Sequence, residues 1–371
     1  MGAGPGTHPG ANLAALRDHN AALVLGLLRD AGEAGASRAE LAARTGLTPQ
    51  AVSKITGRLR ESGLAAEAGR RASTGGKPAT VLCLVPGAAH ALGLHLDRDT
   101  LTVTLADLMG AAVATRTTPL AFGAGGDAVL DAVAREATAL LAEAGAPAVL
   151  GAGVAAPGPL DHRGGVLHRV TGFPQWDGFP LRDALSERLA LPVTLDKDTN
   201  AAALGLALRG PRDAAASSFA YLHLGTGLGA GLVLGGRVHR GARTGAGEFG
   251  HQVLQLDGPP CPCGNRGCLE VLCLAAVAAG DTARAARLLG VGAANLVRLL
   301  DIDHVLLGGR TVLADPDAYV RGVRAELADA VAVRVAPGGD RTVVEGAAEL
   351  VLAPLFGRGV DEMTIGLSGG H

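Results

Sequence analysis

Aromatic side chains are nearly absent from this chain: six Phe, two Tyr and one Trp among 371 residues. A core built without them must be filled by Ala, Val and Leu. Lysine is scarcer still, at three residues (Lys54, Lys77 and Lys197) against thirty arginines; with the abundant alanine this fits a GC-rich genome better than a functional demand. No apolar run reaches the roughly 20 residues that a bilayer-spanning helix needs. The N-terminus lacks the charged-then-apolar pattern of an export signal. No membrane association is therefore expected, and thiols arranged for metal, without an export signal, point to a reducing cytoplasm. The length allows two or three domains.

The little cysteine present is concentrated. Three of the five fall in Cys261-Pro262-Cys263-Gly264-Asn265-Arg266-Gly267-Cys268-Leu269-Glu270, with Glu248 and His251 just upstream. Three thiolates and one imidazole, from His251, Cys261, Cys263 and Cys268, make the closed tetrahedral set of a structural zinc. Gly264 and Gly267 supply the turns such a loop requires. Cys83, Cys273, His223, His239 and His304 lack ligand spacing.

A net charge of −2 conceals a split. Residues 1–86 carry ten basic and six acidic side chains, and the remainder 23 and 29. A basic patch on an acidic chain is the footprint of a nucleic-acid module. Residues 1–10 are rich in Gly and Pro and read as a disordered tail. Leu13 to Arg29 reads as an amphipathic helix. Ser37-Arg38-Ala39-Glu40 is a capping box opening a short helix that ends near Thr45-Gly46. Thr48 can cap the next helix, with Pro49 at its first position. There Val52, Ile55 and Leu59 form the buried stripe, which turns Gln50, Ser53, Lys54 and Gly57 outward. Two short helices around a tight turn make a helix-turn-helix, whose second helix enters the major groove.

Gln50 suits adenine, Ser53 and Lys54 suit a base edge or phosphate, and Thr48 and Arg58 complete the expected DNA-facing set. After a short strand from Leu64, the segment Arg70-Arg71-Ala72-Ser73-Thr74-Gly75-Gly76-Lys77-Pro78 resembles the basic tip of a wing. Arg70, Arg71 and Lys77 would touch phosphate or the minor groove. The alternative is a small helical interaction domain that never meets DNA; the order of the signals favours DNA.

Cys-x-Cys-Gly-x-x-Gly-Cys-x-Glu, with Glu248-Phe249-Gly250-His251 upstream, resembles the signature of the ROK family (repressors, open reading frames and sugar kinases). The N-terminal module is similar to that of the family's regulators. Strands are expected at 91–97, 101–107, 111–118, 148–155, 219–224 and 230–234, and helices at 127–144 and 181–189. The pattern alone gives an α/β class. The resemblance implies a two-lobed actin-like body behind a winged helix-turn-helix: the module over 11–86, lobe one over 87–200 and lobe two with the zinc loop over 201–371. A C-terminal helix, 345–356, would be able to pack back on lobe one.

The resemblance also assigns roles. Asp198, in Asp196-Lys197-Asp198-Thr199-Asn200-Ala201-Ala202, occupies the position of the kinase's catalytic base, which draws a proton from the attacking sugar hydroxyl. Glu248 and His251, three apart and so on one helix face, would bind sugar hydroxyls together with Glu270, with His251 also serving the metal. Lys197 stands where an asparagine is usual, and its cation would pair with Asp196 or Asp198 or face an anionic ligand group. Gly225, Thr226, Gly227 and Gly229 match the second phosphate loop.

Other positions depart from the family. Its first phosphate loop, Asp-x-Gly-Gly-Thr, is here Asp97-Arg98-Asp99-Thr100, with both glycines gone. Arg310 follows Gly308-Gly309 where another glycine is frequent. Gly172 replaces an asparagine. These departures make ATP binding doubtful and imply a regulator, a repressor first, that binds operator DNA as a homodimer or tetramer and responds to a sugar or sugar derivative. An active sugar kinase with a fused DNA-binding module is the alternative. A body that docks a protein partner is a third reading.

Overall fold

The computed structural model describes residues 19–71, 79–146, 148–209 and 218–358. The expected N-terminal tail, positions 13–18 of the first helix and most of the wing tip, Lys77 included, lie outside the described residues, as do the side chains of Arg70 and Arg71.

The chain opens with α1 (His19–Ala31), β1 (Ala36–Ser37), α2 (Arg38–Thr45), α3 (Pro49–Glu61), β2 (Ala65–Arg71) and β3 (Ala79–Leu84). Ser37 Oγ accepts from the Glu40 amide at 3.2 Å while Glu40 Oε2 accepts from the Ser37 amide at 2.7 Å, a complete capping box. Thr48 Oγ1 caps α3 by accepting from the Ala51 amide at 3.2 Å. Val52, Ile55 and Leu59 are buried on one face of α3, and Thr56 with them. The strands pair in the order β1-β3-β2, so a β2–β3 hairpin follows the two short helices and is completed by β1 ahead of them, as in a winged helix-turn-helix.

The body has two lobes of one plan. In the first, β4 (His90–Leu96), β5 (Thr100–Asp107) and β6 (Ala112–Pro119) form an antiparallel meander; α4 (Gly126–Ala144) leads to β7 (Val149–Ala156). A short hairpin, β8 (Leu160–Asp161) and β9 (Val166–Leu167), precedes α5 (Leu181–Leu189) and β10 (Val193–Lys197). The sheet order is β10-β7-β4-β5-β6.

α6 (Asp198–Arg209) crosses to the second lobe, where β11 (Phe219–Leu224), β12 (Leu228–Leu234) and β13 (Arg237–Val238) form another meander. α7 (Leu269–Ala278), α8 (Thr282–Leu300), β14 (His304–Gly308), α9 (Arg310–Ala314), α10 (Pro316–Arg324) and β15 (Ala332–Val335) follow. Its order, β13-β12-β11-β14-β15, repeats that of lobe one read backwards, with parallel pairing at β11–β14 and β14–β15. The two halves are thus built alike, and the cleft lies between them. Leucine, valine and alanine dominate both lobe cores; in lobe one the single Trp176 stacks on Phe122 at 4.7 Å.

The last long helix, α11 (Thr342–Leu352), is wrapped on nearly all sides. It lies on α6 and on β4 and β7 of lobe one. The approach is backbone to backbone: a Cβ on Gly346 would stand 2.0 Å from Ala201 O, and one on Gly153 1.8 Å from Ala347 O. At the far end of α11, Ala348 and Leu352, with Phe356 just past it, join Leu25, Leu28, Leu59 and Leu82 of the N-terminal module in one apolar cluster. The module and the body therefore share a core.

Because neighbouring backbone cannot yield like a side chain, Gly346→Ala should cost about 1–3 kcal/mol or more. Urea unfolding reads this directly, and a midpoint equal to wild type would contradict the close approach.

Candidate functional site

α6 and the β11–β12 hairpin bring the expected body residues to one cleft. Asp97, Arg98, Lys197, Asp198, Glu248 and Glu270 line a cavity of about 70 Å³, together with His251, Thr226, Gly227 and Gly229. Asp198 is the first residue of α6, where the helix dipole favours an anion, and its Oδ1 accepts from the Thr199 amide at 2.6 Å. Glu270, near the start of α7, is held against the glycine loop: its Oε2 accepts from the Leu228 amide at 2.8 Å. Gly225 starts that loop, donating its N–H to Gly227 O at 2.9 Å.

Two expectations are corrected. Lys197 pairs with neither Asp196 nor Asp198. Its ammonium donates to Glu248 Oε1 and to Ala246 O, both at 2.9 Å, and its side chain is 4% exposed. Asp196 is taken up instead by Arg240 Nε at 2.7 Å and Asn200 Nδ2 at 2.9 Å. One of the two sugar-type carboxylates is thus already engaged by a buried cation. Glu248 and His251 also lie on a single 3₁₀ turn (Phe249–His251, with Glu248 at its cap) and not on an α-helix. The i, i+3 spacing still puts them on one side, His251 Nε2 being 4.0 Å from Glu248 Oε2.

The other ring nitrogen of His251 faces sulfur, with Nδ1 3.6 Å from Cys261 Sγ. Cys263 and Cys268 Sγ are 3.7 Å apart, and the four donor atoms lie within 4.8 Å of one another. Sulfurs each about 2.3 Å from a tetrahedral zinc would be separated by about 3.8 Å, so the donor set fits such an ion. All five cysteines are free thiols. Gly267 sits at φ +63°, and a Cβ there would meet Gln255 O at 1.7 Å, so only glycine closes this loop.

At the Asp97–Thr100 turn the cleft is crossed by an ion-pair cluster. Arg310, at the start of α9, reaches across the cleft to lobe one. It donates to Asp99 Oδ2 at 2.8 Å, to Asp99 Oδ1 at 2.6 Å and to Asp97 Oδ2 at 3.2 Å. Asp97 also accepts from Thr226 Oγ1 at 2.8 Å. Burial pushes the Asp97 carboxyl upward, but His95, the Arg98 amide and the Thr226 hydroxyl outweigh it and hold the group below the usual range. Arg98 covers the second glycine loop: a Cβ on Gly227 would be 3.3 Å from its Nη2. A chamber of about 420 Å³ lies beyond, lined by His95, Thr102, Tyr221, His223, Arg310 and Arg341.

On α3, Gln50, Ser53 and Lys54 are exposed on one face, while Arg58 is half-buried and the Thr48 hydroxyl serves the cap. Arg60, not among the expected DNA-facing residues, pairs with Glu67 of β2 at 3.2 Å on the surface.

A model of the ROK family matches residues 91–282, just over half of the chain. The chain belongs to the ROK family. A second model, of the MarR family, matches residues 18–72. The chain is 29% identical over 70% of its length to a putative xylose repressor from Caldicellulosiruptor sp. (strain Rt8B.4). It spans just under two thirds of that relative, 64%. A ROK hexokinase from Thermus thermophilus is 33% identical, superimposing with a TM-score of 0.57 over 70% of this chain and 97% of that one. A ROK family transcriptional regulator described as a homologue of the E. coli MLC protein is 23% identical. Its TM-score is 0.72 over 91% of this chain and 97% of its own, a likeness of fold that includes the N-terminal module. The chain thus sets a MarR-type module ahead of its ROK body. Among the described residues no helix is long and apolar enough to cross a membrane.

The Arg310–Asp99 pair had a signal in the sequence, since both residues stand where the family has glycine. Their pairing had none. The Arg240–Asp196 and Lys197–Glu248 contacts, and the hydrogen bond between the Tyr221 hydroxyl and His223 Nδ1 at 2.9 Å, likewise left no local trace.

Burial first, then hydrogen bonding within the cluster, holds the metal-free Cys268 thiol up at about 12. Metal capture must expel that proton, so loading should weaken as the pH falls. Cys263→Ala should abolish stoichiometric metal in the purified chain. Elemental analysis checks this, and a variant that keeps one ion per chain would remove Cys263 from the ligand set.

Proposed function

We propose that this chain is a transcriptional repressor whose ROK body binds a sugar or sugar derivative without phosphorylating it. One observation carries the reading: a winged helix-turn-helix shares its core with a sugar-kinase-type body whose nucleotide end is crossed by Arg310, Asp97 and Asp99. Asp198, Glu248, His251 and Glu270 would receive the sugar hydroxyls, because carboxylates accept hydrogen bonds from adjacent hydroxyls. Lys197 would fix Glu248 and narrow the choice of ligand. His251, Cys261, Cys263 and Cys268 would hold a structural zinc; the ion supplies rigidity there, orienting His251 and the start of α7. The name of the xylose repressor relative supports the regulatory half of the reading.

Helix-turn-helix proteins generally need two copies to read two half-sites, so a homodimer on an inverted operator follows. On this reading Gln50, Ser53 and Lys54 face base edges. Arg70, Arg71 and Lys77 would grip the backbone. Free thiols and the lack of a spanning helix among the described residues suit a cytoplasmic regulator.

Active phosphorylation remains the second reading, favoured by Asp198 at the base position and by the intact Gly225–Gly229 loop. Asp99 and Arg310 oppose it, because side chains fill the approach that glycine would leave open. Incubation with MgATP and a panel of hexoses, pentoses and amino sugars should release no sugar-dependent ADP. Turnover abolished by Asp198→Asn would overturn the non-enzymatic half.

On the DNA side, Gln50→Ala should relax discrimination at one operator base pair by about 1–3 kcal/mol. Arg70→Ala and Arg71→Ala should weaken all duplexes alike and each flatten the log–log salt slope by about one unit. Equal losses on random DNA for Gln50→Ala, or an unchanged slope for the arginines, would reassign them.

A further inference from the structure

The most deeply buried ion pair in the described chain joins residues 320 positions apart. Arg29 of α1 grips Glu349 of α11 with both terminal nitrogens: Nη2 to Oε1 at 2.5 Å and Nη1 to Oε2 at 3.1 Å. The side chains are 8% and 0% exposed. Nη2 also donates to Met109 O at 3.1 Å, on the β5–β6 turn, and the guanidinium lies 4.6 Å from the centre of the Phe356 ring. Arg358 and Asp30 form a second pair between the same two segments. α1 is no free tether, since Leu25 and Leu28 share an apolar cluster with Val52 and Leu59 of α3.

The same carboxylate faces the cleft helix. Arg209, the last residue of α6, places Nε 3.8 Å from Glu349 Oε1 and also pairs with Glu345. α6 begins at Asp198, in the cleft. Between those ends α6 and α11 meet without cushioning: a Cβ on Gly205 would be 2.9 Å from Gly346 Cα. Packed backbone of this kind shifts as a unit and does not deform.

The geometry points to Glu349 as a positioning residue that couples the cleft to the DNA-reading module. It acts through Arg29 on one side and through Arg209 and α6 on the other. This rests on the reading of the chain as a ligand-responsive DNA-binding regulator. A ligand that moves the start of α6 changes the seat of Glu349, and with it the angle at which α1 presents α3. By linkage, DNA bound to α3 must alter α6 in return.

The test replaces the pair by apolar side chains, a change that buried ion pairs tolerate when both partners go together. Full-length wild type and the Arg29→Met, Glu349→Leu double variant are compared on a duplex carrying the chain's own upstream region. D-glucose, D-xylose and N-acetyl-D-glucosamine serve as probes. In wild type, duplex binding should change amide hydrogen exchange across residues 198–209, and at least one sugar should shift duplex affinity by about tenfold. The double variant should bind duplex and sugar separately as before, with the shift reduced to less than about twofold and the exchange response lost.

A double variant that keeps both responses overturns the proposal. Should no sugar shift wild type, the effector reading fails by itself, and the exchange experiment still decides the coupling. If the double variant does not fold, Arg209→Met, at a partly exposed position, should cut the same shift by about threefold or more. A full response in that variant overturns the proposal equally.

Discussion

The architecture depends on one steric constraint, the bare approach of α11 to its neighbours. Gly346 against Ala201, and Gly153 against Ala347, leave no room for a methyl group. These contacts seat a helix from the end of the described chain between lobe-one strands and the helix that begins at the cleft. The N-terminal module then completes its core on the far end of the same helix. A chain poor in aromatic residues can do this, because small side chains let elements approach closely and backbone contact replaces bulky interdigitation.

Charge is distributed to match. Polar groups buried along α11 are compensated: Glu349 by Arg29, Glu345 by Arg209 and by Arg341 at 3.2 Å. At the cleft, cations engage carboxylates: Lys197 holds Glu248, and Arg310 holds Asp97 and also Asp99, which stands where the family has glycine. The Arg310 pairs are partly exposed, so each stabilises little by itself. Their consequence is geometric, since they join the two lobes across the cleft.

Local features were legible in the sequence. The capping box at Ser37, the Thr48-Pro49 start and the stripe Val52, Ile55, Leu59 depend on neighbours within one or two helical turns, and the structure reproduces each. The strands at 219–224 and the helix at 181–189 were readable from period and turn residues alone. The two-lobed plan required the family resemblance, because a repeated strand order lies in pairing between distant segments. Ion-pair partners escaped for the same reason. Lys197 has carboxylates at adjacent positions 196 and 198, yet its partner is 51 residues away, and Arg310 reaches back 211 residues to Asp99. Which of several nearby charges a long side chain selects is set by the fold around it, and one-dimensional proximity misled.

On the proposed reading, this body has kept the carbohydrate half of its cleft and lost the nucleotide half. Isothermal titration of one preparation with MgATP, its non-hydrolysable analogue and a broad sugar panel measures both halves at once. The account predicts saturable heat with at least one sugar and none with either nucleotide up to millimolar concentration. Micromolar nucleotide binding would contradict it, as would silence from every sugar.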